Sequence, residues 1–287
     1  MTAPHHSLES LVPDSPQRTG TGRPKLAYID CLRGYAVLMV IVNHVTYAFP
    51  ELPYPVHRVG AFGWYGVQLF FLASCLTLMG SSTYERDHFG KIHVGHFFVR
   101  RFLRIAPMYY FAGLFYWLFV SGSGANPAQA LTAISFTNAW HPATMPSNGG
   151  WQLVPGGWSI GVEFTFYLIF PIFFAFVTTL RRAVLVFLTA MVVGAALNSA
   201  LIGPLAAKFG FTTADNFLYY WFFNQAPIFA LGAVVFFIIQ SVEQTPAASE
   251  FVRRISNGSI AVSCILLAVT ALSSVGMSHQ LLLRPSM

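Results

Sequence analysis

The chain is a succession of long apolar stretches separated by shorter polar segments. A helix needs about 20 residues to cross a bilayer, and seven stretches approach or exceed that length. They lie at residues 27–49, 61–80, 103–121, 158–179, 183–202, 216–240 and 258–276. A membrane β-barrel would instead show alternating segments of about ten residues. The pattern therefore predicts an all-α fold, a polytopic transmembrane helical bundle of about seven spans.

Composition supports a membrane location and separates a tail from the bundle. Hydrophobic residues make up 55% of the chain and charged residues 9%, whereas soluble domains carry about 25% charged residues. Residues 1–25 are polar and lack the layout of a cleavable signal peptide, so we expect a disordered cytoplasmic tail before a transmembrane domain at 26–280. The three cysteines form no close pair, which predicts neither a disulfide framework nor a metal site.

The distribution of basic residues predicts the orientation of the bundle. With a cytoplasmic N-terminus, most of the 16 Lys and Arg residues fall on the cytoplasmic side. The exceptions are Arg58, Lys208 and Arg284. The sequence thus predicts a multi-pass protein of the inner (plasma) membrane. The outer loop 122–157 is rich in Gly, Pro and Trp, and its length favours a structured lid or a re-entrant segment.

The first span carries two ionisable residues on one face. Arg33 and His44 are 11 positions apart, which brings them within about 20° of each other around the helix and separates them by a rise of about 16 Å. Ionisable groups inside a membrane are costly and usually face a bundle interior or a wet cavity. The alternatives are that Arg33 snorkels to the interface and that a neutral His44 hydrogen-bonds a neighbouring helix.

Two further stretches place cations and polar groups next to spans. Arg100, Arg101 and Arg104 lie within about one turn at the start of the third span. Three arginines without a lysine favour forked recognition of phosphate, although a cytoplasmic anchor would also use them. In the second span, Gln68 and Ser74 are more simply explained by packing between helices.

A polar stripe runs along the fourth span. Ser159, Glu163 and Tyr167 recur every four residues, and Glu163 is interpreted as the only acid inside a span. A carboxylate there must pair, protonate or meet water, and Arg33 or His44 is a natural partner. A purely structural ion pair is the alternative for Glu163, and a membrane-interface anchor is the alternative for Trp158.

Four motifs in this order resemble the membrane acyltransferase-3 family, whose members O-acylate bacterial surface glycans. The first is the Arg33–His44 pair. GVQLFFLAS at 66–74 resembles the second-helix motif, although Cys75 stands where the family usually has Gly. RRFLRIAPMYY at 100–110 and WSIGVEFTFYLIFP at 158–171 are similar to the third and fourth motifs. The resemblance extends over residues 26–276.

The resemblance implies a reaction, its substrates and its site residues. The donor substrate would be acyl-CoA, most often acetyl-CoA, with no bound cofactor, and the acceptor would be a hydroxyl of a carbohydrate or glycan. Nucleic acid is not an expected partner. His44 and Glu163 would be the catalytic residues, with His44 acting as general base or through an acyl-histidine intermediate. The expected residues that bind the donor or substrate are Arg33, Arg100, Arg101, Arg104, Ser159, Tyr167 and Trp158.

Two other readings of the sequence remain open. A transporter or proton-coupled permease could use Arg33, His44 and Glu163 as a relay, but it would also favour a symmetric pair of broken helices. The predicted spans are also fewer than family members usually have. A shortened family member or an inactive truncated copy would explain that difference.

Overall fold

A computed structural model describes residues 27–119, 126–145 and 152–243, and this part of the chain is all-helical. The element bounds are α1 Ala27–Ala48, α2 Tyr54–Phe62, a 3₁₀ turn Gly63–Tyr65, α3 Gly66–Phe89, α4 Val94–Phe119, α5 Pro127–Ile134, a 3₁₀ turn Asn138–Trp140, α6 Trp158–Phe176, α7 Leu180–Phe209, α8 Phe211–Tyr220 and α9 Phe222–Glu243.

Five segments in the described ranges are long and apolar enough to cross a membrane. They are Ile29–Ala48, Tyr54–Phe89, Trp158–Phe176, Leu180–Phe209 and Phe211–Val242. The predicted class, an all-α membrane bundle, is therefore confirmed. The predicted count of seven spans is not confirmed in these ranges. The predicted third span, 103–121, overlaps α4, which has 26 residues but is not among the five. The predicted seventh span, 258–276, and the tail 1–25 lie outside the described residues.

Helix α3 lies at the centre of the bundle, between α1 and α9. Two glycines allow this close packing. A Cβ atom at Gly66 would lie 2.6 Å from the carbonyl oxygen of Ala36 on α1, and one at Gly232 on α9 would lie 2.9 Å from that of Leu72. Both distances are too short for a side chain, so glycine sets how near the three backbones approach.

Helix α3 extends further than the sequence pattern predicts. The second span was expected to end near residue 80, where Ser81, Ser82 and Thr83 follow. The helix instead continues to Phe89 and ends at Gly90, whose φ of 72° gives a left-handed cap. Consequently Glu85 is a buried residue of α3, and the prediction that Glu163 is the only acid inside a span is wrong.

The predicted sixth span, 216–240, is broken into α8 and α9 at Trp221. The break exposes the carbonyl oxygen of Tyr219, which accepts hydrogen bonds from Nδ2 of Asn224 at 2.9 Å and Nε2 of Gln225 at 2.7 Å. Asn198 of α7 accepts a hydrogen bond from Nε1 of Trp221 at 2.8 Å. Side-chain amides thus satisfy backbone groups that lipid could not.

The described part of the outer loop folds back against α4 and α6. Phe136 has a φ of 60° and stacks on Phe164 of α6, with ring centroids 3.9 Å apart. Leu153 touches α4 so closely that a Cβ atom at Gly113 would lie 2.7 Å from its Cγ. The loop is therefore a packed segment, and it positions residues at the start of α6.

Candidate active site

Glu163 is the centre of a polar cluster between α3 and α6. One of its oxygens, Oε1, accepts hydrogen bonds from Oγ of Ser74 and from the hydroxyl of Tyr167, both at 2.5 Å. Ser74 and Tyr167 are buried, while Glu163 is half-buried. Two hydroxyl donors to one oxygen fix the direction of the carboxylate. The hydrogen bond to Tyr167 follows from the four-residue spacing noted in the sequence.

Arg33 of α1 is directed towards the same cluster. Its Nη2 donates to Oγ1 of Thr77 on α3 at 2.8 Å. Its guanidinium group also interacts electrostatically with Glu163 and Arg104. A weaker ion pair, 3.8 Å long, joins it to the exposed Asp30. The four sequence motifs, which lie on α1, α3, α4 and α6, therefore meet in one region.

Arg101 is the buried member of the arginine motif. Only 8% of its surface is exposed, and its guanidinium group lies over the ring of Phe97 at 5.8 Å. It interacts electrostatically with Tyr167 and Glu163. Its Nε atom is buried and has no hydrogen-bond partner among the described residues. A buried donor without a partner is costly, so this guanidinium group has capacity for a further acceptor.

Arg100 has a different environment, although it precedes Arg101 directly. Its Nη2 donates to Oε2 of the buried Glu85 at 2.6 Å. The other oxygen of Glu85 accepts from the backbone N–H of His93 at 3.1 Å. The Glu85 carboxylate thus ties the end of α3 to the start of α4. The sequence did not predict this ion pair, which gives Arg100 a partner within the protein.

Arg104 and Ser159 line a cavity of about 420 Å³ between α4 and the start of α6. Arg104 is exposed within it. Oγ of Ser159 donates to the carbonyl oxygen of Gly156 at 2.9 Å. Because Arg104 also interacts with Arg33 and Arg101, this cavity adjoins the polar cluster. We refer to Arg33, Arg101 and Arg104 as the arginine cluster.

His44 lies on α1 about 16 Å beyond Arg33 along the helix axis. Its side chain is exposed, and its Nδ1 lies 2.8 Å from the carbonyl oxygen of Val40. A carbonyl can only accept, so Nδ1 carries the hydrogen and Nε2 of the neutral ring has a free lone pair. Of the two partners expected for Glu163, the structure brings Arg33 near it, whereas the hydrogen bond of His44 is to its own helix.

Trp158 begins α6 and packs inside the bundle. Its ring lies 4.4 Å from that of Tyr220 and 6.1 Å from that of Phe71. It is not among the residues that line the cavity around Ser159. Trp158 therefore packs the start of α6 against aromatic residues of the bundle and not against the cavity that Ser159 lines.

The sequence analysis did not predict the roles of two residues at the site. Ser74 was explained by helix packing, yet it is a direct hydrogen-bond donor to Glu163. Glu85 was not considered. A signal for Ser74 existed, since it ends the motif at 66–74. Nothing in the local pattern around Glu85 indicates that it is buried.

Comparison with known protein families gives one match. The acyltransferase domain of the acyltransferase-3 family matches residues 26–283. The chain therefore belongs to the acyltransferase-3 family. No curated protein and no solved structure matches the chain significantly.

Proposed function

We propose that this protein is an integral membrane O-acyltransferase. It would move an acyl group, most simply acetyl, from acyl-CoA to a hydroxyl of a carbohydrate or cell-surface glycan. The observation that carries the proposal is that Arg33 and Arg101 both interact electrostatically with Glu163 and with Arg104, which lines a cavity. Family membership supports the reaction class, and the environment of each residue supports its proposed role.

The charge of the cluster favours an anionic ligand. The guanidinium groups of Arg33 and Arg101 interact with Glu163, and Arg104 adds a third positive charge that interacts with both. The other nearby acid, Asp30, is mostly exposed. Uncompensated positive charge within a bundle is costly. Phosphate groups would balance it, and arginine binds them through paired hydrogen bonds. The phosphates of coenzyme A have the required charge, and the partnerless Nε of Arg101 adds a donor.

His44 is the proposed general base. Its free Nε2 would take the proton from the acceptor hydroxyl while that oxygen attacks the thioester carbonyl carbon. The carbon–sulfur bond then breaks, and the imidazolium returns the proton to the departing thiolate of coenzyme A. An acyl-histidine route would use the same Nε2 atom as nucleophile. In either route Nδ1 keeps its hydrogen bond to Val40, which holds the ring in the required tautomer.

Glu163 is proposed to act on the donor side of the reaction. Its hydrogen bonds to Ser74 and Tyr167 fix the carboxylate, and the carboxylate in turn attracts Arg33 and Arg101. It would thereby hold these guanidinium groups ready for phosphate. This is a positioning role, which differs from the direct orientation of His44 that the sequence also allowed.

The direction of transfer follows from the predicted orientation. With the N-terminus in the cytoplasm, α1 runs outwards from Arg33 to His44, a rise of about 16 Å. Coenzyme A would enter from the cytoplasm and the glycan from the outside. The protein would then reside in the inner membrane, with the bilayer, acyl-CoA and a glycan as its partners.

The transporter alternative fits the described residues less well. Transporters of the broken-helix type use freed backbone carbonyls to coordinate ions. Here the break at Trp221 frees the carbonyl of Tyr219, but Asn224 and Gln225 already donate hydrogen bonds to it. The freed carbonyl oxygen therefore already has hydrogen-bond donors from the protein, which favours a structural role for the break.

Binding of coenzyme A to detergent-purified protein tests the donor assignment. We expect coenzyme A to raise the unfolding temperature of the wild type by mass action. Arg104→Ala should weaken binding about 10- to 100-fold, the range that corresponds to one lost hydrogen bond to a charged group. Arg101→Ala should act in the same direction.

Arg182→Ala is the matched control for the arginine variants. Arg182 is an exposed arginine whose hydrogen bonds are to Phe176 and Thr178, away from the cluster. Its loss should leave coenzyme A binding unchanged. A wild type that coenzyme A does not stabilise, or an Arg182 variant as impaired as the Arg104 variant, would contradict the proposal.

A further inference from the structure

The cavity beside Arg104 has the form of a groove along α4. Its α4 wall includes Arg104, Met108 and Ala112, and its opposite wall is formed by the turn Val154–Gly157 with Ser159. From Arg104 to Ala112 the helix rises about 12 Å. Met108 is exposed at its rim, with 68% of its surface accessible, so the groove is open along one side.

Close contact with the loop closes the outer end of the groove. Leu153 packs directly on Gly113, where an added Cβ atom would lie 2.7 Å from Cγ of Leu153. Gly156 has a φ of 76°, a left-handed conformation that lets the turn fold against α4. Ala112, next to Gly113, therefore lies at the last open position of the groove.

The chemistry of the groove changes along its length. Its inner end carries the guanidinium group of Arg104, which belongs to the arginine cluster. Beyond it the walls are mainly apolar, and the hydroxyl of Ser159 is a polar exception. A linear molecule with an anionic end and a largely uncharged body matches both parts.

We propose that this groove holds the thioester arm of the donor, the linear segment that joins the phosphates of coenzyme A to its sulfur. The phosphates would lie at the arginine cluster and the sulfur would be directed towards Ala112. The groove rises outwards by about 12 Å, comparable with the rise of about 16 Å from Arg33 to His44. The arm would thus bring the thioester towards the outer half of the bundle, where His44 lies. This inference rests on the proposed function.

Filling the outer end of the groove tests the assignment. Ala112→Phe should weaken coenzyme A binding to purified protein by about tenfold, because the ring would occupy the space of the arm. Leu114→Phe is the matched control, since Leu114 is exposed on α4 and does not line the groove. It should bind coenzyme A as the wild type does. Unchanged binding by a folded Ala112→Phe variant would overturn the inference.

Photolabelling of the wild type provides a second measurement that needs no variant. A coenzyme A derivative with a photoreactive group on its sulfur should label the peptides that contain residues 108–112 or 154–160. Labelling confined to other peptides would overturn the position of the arm. A wild type that does not bind coenzyme A at all would instead contradict the proposed function, so the two failures are distinguishable.

Discussion

The three arginines at the start of α4 have three different environments, although they lie within about one helical turn. Arg100 is paired with the buried Glu85, Arg101 is buried beside Phe97, and Arg104 is exposed in the groove. Residues of the same type therefore have distinct roles here. We assign Arg100 to the stability of the α3–α4 connection, and Arg101 and Arg104 to donor binding.

His44 gives the sharpest prediction at the residue scale. His44→Ala should lower acyl transfer by about 10²- to 10⁴-fold, the usual contribution of a general base. Binding of coenzyme A should persist, because the arginine cluster remains intact. The measurement is transfer of radiolabelled acetyl groups from acetyl-CoA to the surface glycans of membrane vesicles.

His57→Ala controls for the loss of a histidine outside the candidate site. His57 lies on α2 and its Nε2 is 3.2 Å from the carbonyl oxygen of Pro50. Its removal should leave transfer unchanged. If His44→Ala transferred acetyl groups at the wild-type rate, His44 would not be the base.

At the scale of helices, the Glu85 carboxylate joins α3, the connection at His93 and α4. Arg100→Ala would remove the ion pair with that buried carboxylate, although the backbone N–H of His93 would still donate to it, and the loss of a hydrogen bond between charged groups costs about 1.5–3 kcal/mol. We therefore expect a lower unfolding temperature, with little change in affinity for coenzyme A. Glu85→Gln in the same chain should recover part of the stability, because no buried charge then remains.

The opposite outcome for Arg100 is equally informative. An Arg100→Ala variant with a normal unfolding temperature, and with coenzyme A affinity reduced as much as in Arg104→Ala, would restore Arg100 as a donor-binding residue. That was its role in the sequence-based prediction.

The contact between the outer loop and α6 gives another prediction. A Cβ atom at Gly161 would lie 2.1 Å from Oδ1 of Asn138 in the loop. Gly161→Ala should therefore displace the loop, lower stability by about 1–3 kcal/mol and reduce transfer. Thermal unfolding and the acetyl-transfer assay measure both effects.

Gly203→Ala is the corresponding control on α7. An added Cβ atom there would meet no described atom within 4 Å, so alanine should be neutral or stabilising by up to about 1 kcal/mol. Wild-type stability and activity in Gly161→Ala would show that the loop does not need this close contact.

The first and fourth spans were predicted closely from the sequence because apolar length is a local property. The first span was expected at 27–49 and α1 is Ala27–Ala48; the fourth was expected at 158–179 and α6 is Trp158–Phe176. The polar residues of the site were found because charge inside an apolar stretch is conspicuous. Their division of roles was not predictable, since it depends on contacts between distant helices.

The burial of Glu85 and the break at Trp221 could not be predicted from the sequence. Glu85 follows a polar run, so the sequence pattern places it in a loop, whereas α3 continues to its cap at Gly90. Trp221 lies within a continuous apolar run, and the amides of Asn224 and Gln225 that stabilise the break come after it in the chain. Both features are determined by tertiary contacts, which a linear pattern does not contain.

At the scale of the whole molecule, the charged groups are arranged along the direction of transfer that we propose. The arginine cluster lies towards the predicted cytoplasmic side, the groove continues outwards along α4, and His44 lies further out on α1. Acyl transfer across a membrane requires such an order, because donor and acceptor arrive from opposite sides. The positions of α1, α3, α4 and α6 create this arrangement, while α7, α8 and α9 pack behind it.

Mass analysis of surface glycans tests the central claim most directly. Glycans should be compared from cells that express the wild-type chain, cells that lack it, and cells that express His44→Ala. Acyl transfer predicts an additional mass of one acyl group in the wild-type sample alone. Identical glycan masses in all three samples, or the same modification with His44→Ala as with the wild type, would contradict it.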